Sequence, residues 1–321
     1  MTTVGESVLA QAGLGEATNR VVDAVLGAWP GHLKFLRTSL GGRSDDVIQT
    51  TEVIANLLLK VADSNGVELT KYADDYRYLC EKIVFPEELF FRRNGRYRLS
   101  TFDEAAKEVY DNTTLMTRYM NGLFVSDALW FNHVSAMNDF AKTYLLSLRA
   151  GGTHLEIGPG HGMLLHLALR FGNFKSLSAW DVSATSIEHT AHVLDVLGQS
   201  GRVALRQMNL YAPEALAEHR GQFDTVVLSE VLEHLEQPAE ALAIIRDLLA
   251  PGGSVWINVP ANGPAPDHLF LLRSLAEAES LVVQAGLKVT RSIGFPVAGS
   301  SLERALREEL PISCVVVGTK V

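Results

Sequence analysis

Leu155-Glu-Ile-Gly-Pro-Gly-His-Gly-Met-Leu-Leu165 runs a short apolar strand into a loop with glycines at 158, 160 and 162, then opens a helix whose apolar residues include Leu164, Leu165, Leu167 and Ala168. Such a loop needs glycine because the backbone turns sharply and a ligand must approach without Cβ atoms in the way. The spacing is informative. A dinucleotide-binding GxGxxG would need a sixth-position glycine where this chain has Met163, so the pyrophosphate form is not matched. Leu177-Ser-Ala-Trp-Asp181 reads as the next strand and ends in a carboxylate 19 residues beyond Gly162. An acid at about that distance accepts the two hydroxyls of a ribose. The other reading of Asp181 is a helix cap, a task that Ser183 can also fill.

Strand and helix patterns continue to alternate toward the carboxyl terminus, as in a doubly wound parallel sheet. Val203 to Asn209 reads as a third strand. Phe223-Asp-Thr-Val-Val-Leu-Ser-Glu-Val-Leu-Glu-His234 gives a buried fourth strand with Ser229, Glu230, Glu233 and His234 at its carboxyl end, the end at which open α/β sheets bind ligands. Pro238 starts a helix with Leu242, Ile245, Leu248 and Leu249 on one face, and Pro251-Gly252-Gly253 stops it. Ser254 to Val259 is the fifth strand, and Thr290–Ile293 and Ile312–Gly318 are the last two.

The Glu156-x-Gly158-x-Gly160-x-Gly162 loop resembles motif I of the class I S-adenosylmethionine-dependent methyltransferases. The later string EVLEHLEQP…LLAPGGSVWINVP resembles the same family, and the match covers about residues 150 to 320. The resemblance implies a seven-stranded Rossmann-like sheet with a C-terminal antiparallel edge hairpin, and S-adenosylmethionine laid across the strand ends. The methionine end would lie near Gly158 and Glu156, the ribose on Asp181, and the adenine between Val182, Asn209 and Leu210. Asn209 stands where the family usually has Asp, but its amide oxygen still accepts a hydrogen bond from an adenine amino group. The sulfonium would face the opening lined by residues 229 to 234, including Ser229.

Methyl transfer from a sulfonium is an in-line displacement, so the protein mainly positions the nucleophile, excludes water and, for a hydroxyl or amine, takes a proton. His234 is the candidate base, with a packed histidine as the structural alternative. Glu230 and Glu233 are candidates to hold the cofactor amine or a cationic substrate. Asn258, Asn262, Asp267 and His268 follow the fifth strand, where they serve either the substrate or loop and cap geometry. Tyr119-Met-Asn-Gly-Leu-Phe-Val-Ser-Asp-Ala-Leu-Trp-Phe-Asn-His133 is rich in aromatics and amides. Tyr119, Phe124, Trp130 and Phe131 are the lid candidates there through cation–π attraction, and Asn132, His133 and Asn138 through hydrogen bonds, although Met116, Tyr119, Leu123 and Phe124 also follow helical core spacing.

The chain before residue 150 reads as helical. Thr50 to Ala62 and Tyr72 to Ile83 carry apolar residues at one-face spacing. Leu89 to Ser100 holds Asn94-Gly95 between alternating runs, which predicts a hairpin with Arg92, Arg93, Arg96 and Arg98 on a two-stranded wing. Helices before such a wing resemble the winged-helix dimerisation domain of many small-molecule O- and C-methyltransferases. The predicted organisation is a helical, winged-helix-like domain over 1–110, linking helices and a lid over 111–150, and the catalytic domain over 151–321.

With 47% apolar and 20% charged residues the chain reads as globular. The net charge of −9 lacks the basic stripe of a nucleic-acid binder. No apolar run approaches the ~20 residues of a membrane span. Two cysteines outside any metal-binding spacing, and no secretory signal, fit a cytoplasmic protein without structural metal. The leading expectation is an enzyme that methylates a small molecule in specialised metabolism, as a homodimer through its N-terminal domain. One alternative is a lyase that cyclises S-adenosylmethionine itself to azetidine-2-carboxylate and methylthioadenosine. A weaker one is a non-catalytic S-adenosylmethionine-binding regulator.

Overall fold

A computed structural model describes residues 13–321. The chain forms two compact units. The first comprises the chain through Asn138 together with Asn262–Leu271 and Phe295–Ile312, and the second comprises Asp139–Ala261, Leu272–Gly294 and Ser313–Val321.

The first unit is helical. Its longest helix, Asp45–Ser64, follows Ser44 and opens with Asp45 and Asp46, acids that suit the positive end of the helix dipole. Ile54, Leu57, Leu58 and Val61 recur at helical spacing and are buried, so one face supplies the core. The helix Leu69–Tyr78 passes through a wider turn, Leu79–Val84, into a helix over Phe85–Asn94.

That last helix overturns the predicted hairpin. Gly95 adopts φ +65 just past the helix, and its N–H donates to Phe91 O at 2.7 Å. Asn-Gly supplies left-handed backbone to a helix C-terminus as readily as to a hairpin turn. Nor do the arginines make a basic wing. Arg92 pairs with Glu88 at 2.6 Å, one helical turn away, and Arg98 pairs with Glu87 at 2.8 Å and with Glu108.

A seven-stranded sheet follows: β1 (Gly152–Ile157), β2 (Phe174–Asp181), β3 (Val203–Gln207), β4 (Phe223–Ser229), β5 (Leu249–Ala261), β6 (Lys288–Pro296) and β7 (Ile312–Thr319). Their order across the sheet is β3-β2-β1-β4-β5-β7-β6. β1 pairs in parallel with β2 and β4, and parallel pairing continues to β3 and β5. The reversal of order on either side of β1 is the switch point where such sheets bind ligands. At the far edge the direction flips. Lys320 N–H donates to Gly253 O and Gly252 N–H to Lys320 O, which sets the end of β7 beside the start of β5. Apolar burial is densest along β4 and β7, whose interiors are closed on both faces.

Candidate functional site

The strands β1 to β5 end on one edge, and the predicted cofactor residues assemble there. Glu156 sits near the end of β1, opposite Ala179 on β2 and Val227 on β4. Apolar neighbours on both sides leave its carboxyl buried, and burial pushes its pKa well above the ordinary range. Its Oε2 has no hydrogen-bond partner among the described protein atoms.

The loop that follows is pinned to the sheet. Gly158 N–H donates to Trp180 O at 2.8 Å, and Thr190 Oγ1 donates to Gly160 O at 3.0 Å. Gly158, Gly160 and Gly162 all have positive φ. At Gly158 a Cβ would fall 2.7 Å from Val231 Cγ2, so only glycine lets the loop close against the exit of β4. Gly162 then precedes the helix Met163–Phe171, whose first N–H groups form a positive end behind the loop.

Asp181 ends β2, and its two oxygens accept from Ser183 N–H at 2.8 Å and Ser186 Oγ at 2.6 Å. Ser183 itself caps the next helix by accepting from Ser186 N–H. The cap reading therefore goes to Ser183. The Asp181 carboxylate, oriented by two donors, keeps lone pairs for a diol. Next to it Val182 is 56% exposed, while Leu210 is buried. Asn209 Oδ1 accepts from Tyr211 N–H at 3.0 Å in a local turn, which fixes the amide.

Past β4, Glu230 adopts φ +52, a conformation rare outside glycine. Its Oε1 accepts from Asn258 Nδ2 at 2.9 Å, and the same NH2 group reaches Ser229 Oγ at 3.1 Å. Leu232–His234 forms one tight turn, with Glu233 buried and His234 Nε2 at 3.8 Å from Glu233 Oε1.

Trp130, His133 and Asn138 belong to the helical unit. Trp130 Nε1 donates to Tyr76 Oη at 2.9 Å, His133 Nδ1 lies 3.2 Å from Asp127 Oδ1, and Asn138 Oδ1 accepts from Thr50 Oγ1 at 2.8 Å. In the same unit Tyr119 and Tyr110 both donate to the buried carboxylate of Asp267, at 3.0 and 3.3 Å. Sequence reading missed that pairing, because Asp267 lies far along the chain from both tyrosines. It also missed Thr190, a mid-helix threonine that no local pattern singles out.

A family model described as a methyltransferase domain matches residues 132–308, more than half of the 321 residues. The chain belongs to that methyltransferase family. Among its relatives, the ubiquinone biosynthesis O-methyltransferase of Aromatoleum aromaticum is 33% identical over 113 residues, which span 34% of this chain and 44% of that protein. The enzyme of the same name from Psychrobacter arcticus is 33% identical over 140 residues, covering 44% and 51%. The chain thus spans about half or less of the length of these curated relatives. A solved geranyl diphosphate C-methyltransferase from Streptomyces coelicolor is 16% identical, with a TM-score of 0.47 over 78% of this chain and 98% of that one. Among the described residues no helix is long and apolar enough to cross a membrane.

S-adenosylmethionine is the cofactor of this class I methyltransferase fold, and the residues at the strand ends fit it. A glycine loop admits close approach, an oriented carboxylate suits a ribose diol, and a buried acceptor on Glu156 awaits a donor.

Proposed function

We propose that this methyltransferase transfers the S-adenosylmethionine methyl group to a small organic molecule in a biosynthetic pathway of specialised metabolism. The observation that carries the reading is Asp181, a carboxylate held by two donors at the carboxyl end of β2, one strand from the glycine loop. The net charge of −9 supports a small acceptor over a nucleic acid. Similarity to ubiquinone biosynthesis O-methyltransferases supports a biosynthetic role and an oxygen nucleophile.

When bound, the cofactor supplies a methyl group already activated on sulfonium. Asp181 would accept the ribose hydroxyls, the loop over Gly158, Gly160 and Gly162 together with Glu156 would cradle the methionine end, and Val182, Asn209 and Leu210 would flank the adenine. Ser229, Glu230, Glu233 and His234 line the edge beyond β4. His234, 24% exposed in its side chain, would take the proton of a hydroxyl acceptor. Trp130, His133 and Asn138 would serve as lid residues.

Asp181→Ala lowers S-adenosylmethionine affinity about ten- to a hundredfold by calorimetry, the loss of hydrogen bonds to a charged acceptor. Unchanged affinity removes the ribose assignment. Incubation with S-adenosylmethionine alone, followed by mass spectrometry, checks the reaction. The cofactor stays intact without an acceptor if methyl transfer is the activity, whereas accumulating methylthioadenosine and an imino acid would establish cyclisation instead.

A further inference from the structure

Asn258 lies toward the carboxyl end of β5, in register with Ser229 at the end of β4. Its NH2 group donates both to Ser229 Oγ and to the Glu230 carboxylate, and its backbone carbonyl accepts from Glu230 N–H at 2.8 Å. A carboxylate offers only lone pairs, so the amide must turn its nitrogen toward Glu230. That fixes Oδ1 on the opposite side. The residue is only 5% exposed, and Oδ1 is buried without a hydrogen-bond partner among the described residues. A buried acceptor left unmade is destabilising, and such groups in native proteins call for a specific explanation.

The chemistry of the cofactor supplies one. S-adenosylmethionine has three kinds of polar end, and each asks for a different partner. Its carboxylate suits N–H groups such as those at the start of the helix Met163–Phe171, and its ribose diol suits Asp181. Its α-ammonium is a cation with donors only, so it requires acceptors and negative charge. Asn258 Oδ1 and the Glu230 carboxylate meet both demands. Glu230, which the Asn258 amide holds, directly precedes Val231, the residue a Cβ on Gly158 would strike.

Resting on the cofactor reading above, we propose that Asn258, with Glu230 oriented by its amide, is the seat of the cofactor's α-ammonium. Asn258 is then a binding residue in its own right, and the left-handed backbone of Glu230 is retained because it brings the carboxylate within reach of the Asn258 amide.

The test compares two ligands on the full-length protein by calorimetry: S-adenosylmethionine, and 5′-methylthioadenosine, which keeps the adenine and ribose but lacks the amino-acid end. Asn258→Leu removes both polar atoms at similar size, and Glu230→Gln removes the charge while keeping an oxygen for the Asn258 amide. Each variant weakens S-adenosylmethionine about ten- to a hundredfold and leaves 5′-methylthioadenosine within about twofold. Equal losses for both ligands, or no loss for S-adenosylmethionine, overturn the seat. A wild-type protein that binds neither ligand removes the whole cofactor site, which separates that failure from failure of the seat alone.

Discussion

At Gly158 a single added methyl group has nowhere to go. Its Cβ would meet Val231 Cγ2 at 2.7 Å, and its φ of +68 is strained for any other residue. The backbone cannot swing aside, because its N–H is bonded to Trp180 O on β2. Gly158→Ala is expected to cost about 1–3 kcal/mol of stability from strain and overpacking, and to weaken S-adenosylmethionine as well. Adding Val231→Ala relieves the clash but not the backbone strain, so it restores only part of the melting temperature. A single variant with wild-type melting temperature and affinity would show that the loop is slack. Gly160 differs, since nothing lies within 4 Å of its Cβ position, and its alanine variant tests the backbone conformation alone.

Among the helices, Arg43 joins three elements at once. Its buried guanidinium donates to Ser39 O, to Thr51 Oγ1, and to the carbonyls of Ala128 and Leu129 at the end of the helix Thr113–Leu129. Those carbonyls have no partner within their own helix, and a cation there also complements the helix dipole. Arg43→Met fills similar space but takes the guanidinium donor from Ala128 O and leaves Leu129 O with the Ser39 hydroxyl alone, so urea unfolding should shift by at least about 1.5–3 kcal/mol with an unchanged slope. Arg43→Lys recovers little, because one ammonium cannot span four acceptors in the guanidinium's fork. A shift below about 0.5 kcal/mol for the methionine variant would mean that water satisfies these carbonyls. None of this was legible from sequence, where Arg43 is one arginine in a polar turn. The strands were legible because β1, β4 and β5 are buried apolar runs bounded by glycine and proline, and the glycine loop because its spacing is dictated by close approach. Asn94-Gly95 misled because the same left-handed backbone ends a helix and turns a hairpin. Only packing decides between the two, and the Glu88 and Glu87 partners of Arg92 and Arg98 supply it.

For the molecule as a whole, buried titratable groups set opposing pH dependences. His32 in the helical unit and His154 on β1 are both buried, and burial lowers their pKa from 6.5 to about 4 and about 3 respectively. The unfolded chain therefore binds more protons than the folded one at these positions, and each histidine withdraws stability as pH falls below 6.5, by about 1.4 kcal/mol per pH unit. His189, lowered by burial and by His161 and His192, acts in the same direction. Glu156 opposes them. Burial raises its pKa well above 4.5, so the folded state holds its proton more tightly and stability declines as pH rises from 4.5 toward the folded value. Between 4.5 and 6.5 two buried histidines oppose one glutamate, so stability rises with pH, most steeply toward the acid end of that range. Above 6.5 the histidine contributions are complete, so these groups add no further stability with rising pH, and Glu156 only subtracts it. Denaturant midpoints measured from pH 4.5 to 9 check this, with His154→Gln flattening the acid limb and Glu156→Gln flattening the alkaline one. An alkaline limb unchanged in Glu156→Gln would mean that the carboxyl ionises at its ordinary pKa, and that its burial among Ala179 and Val227 is relieved by water.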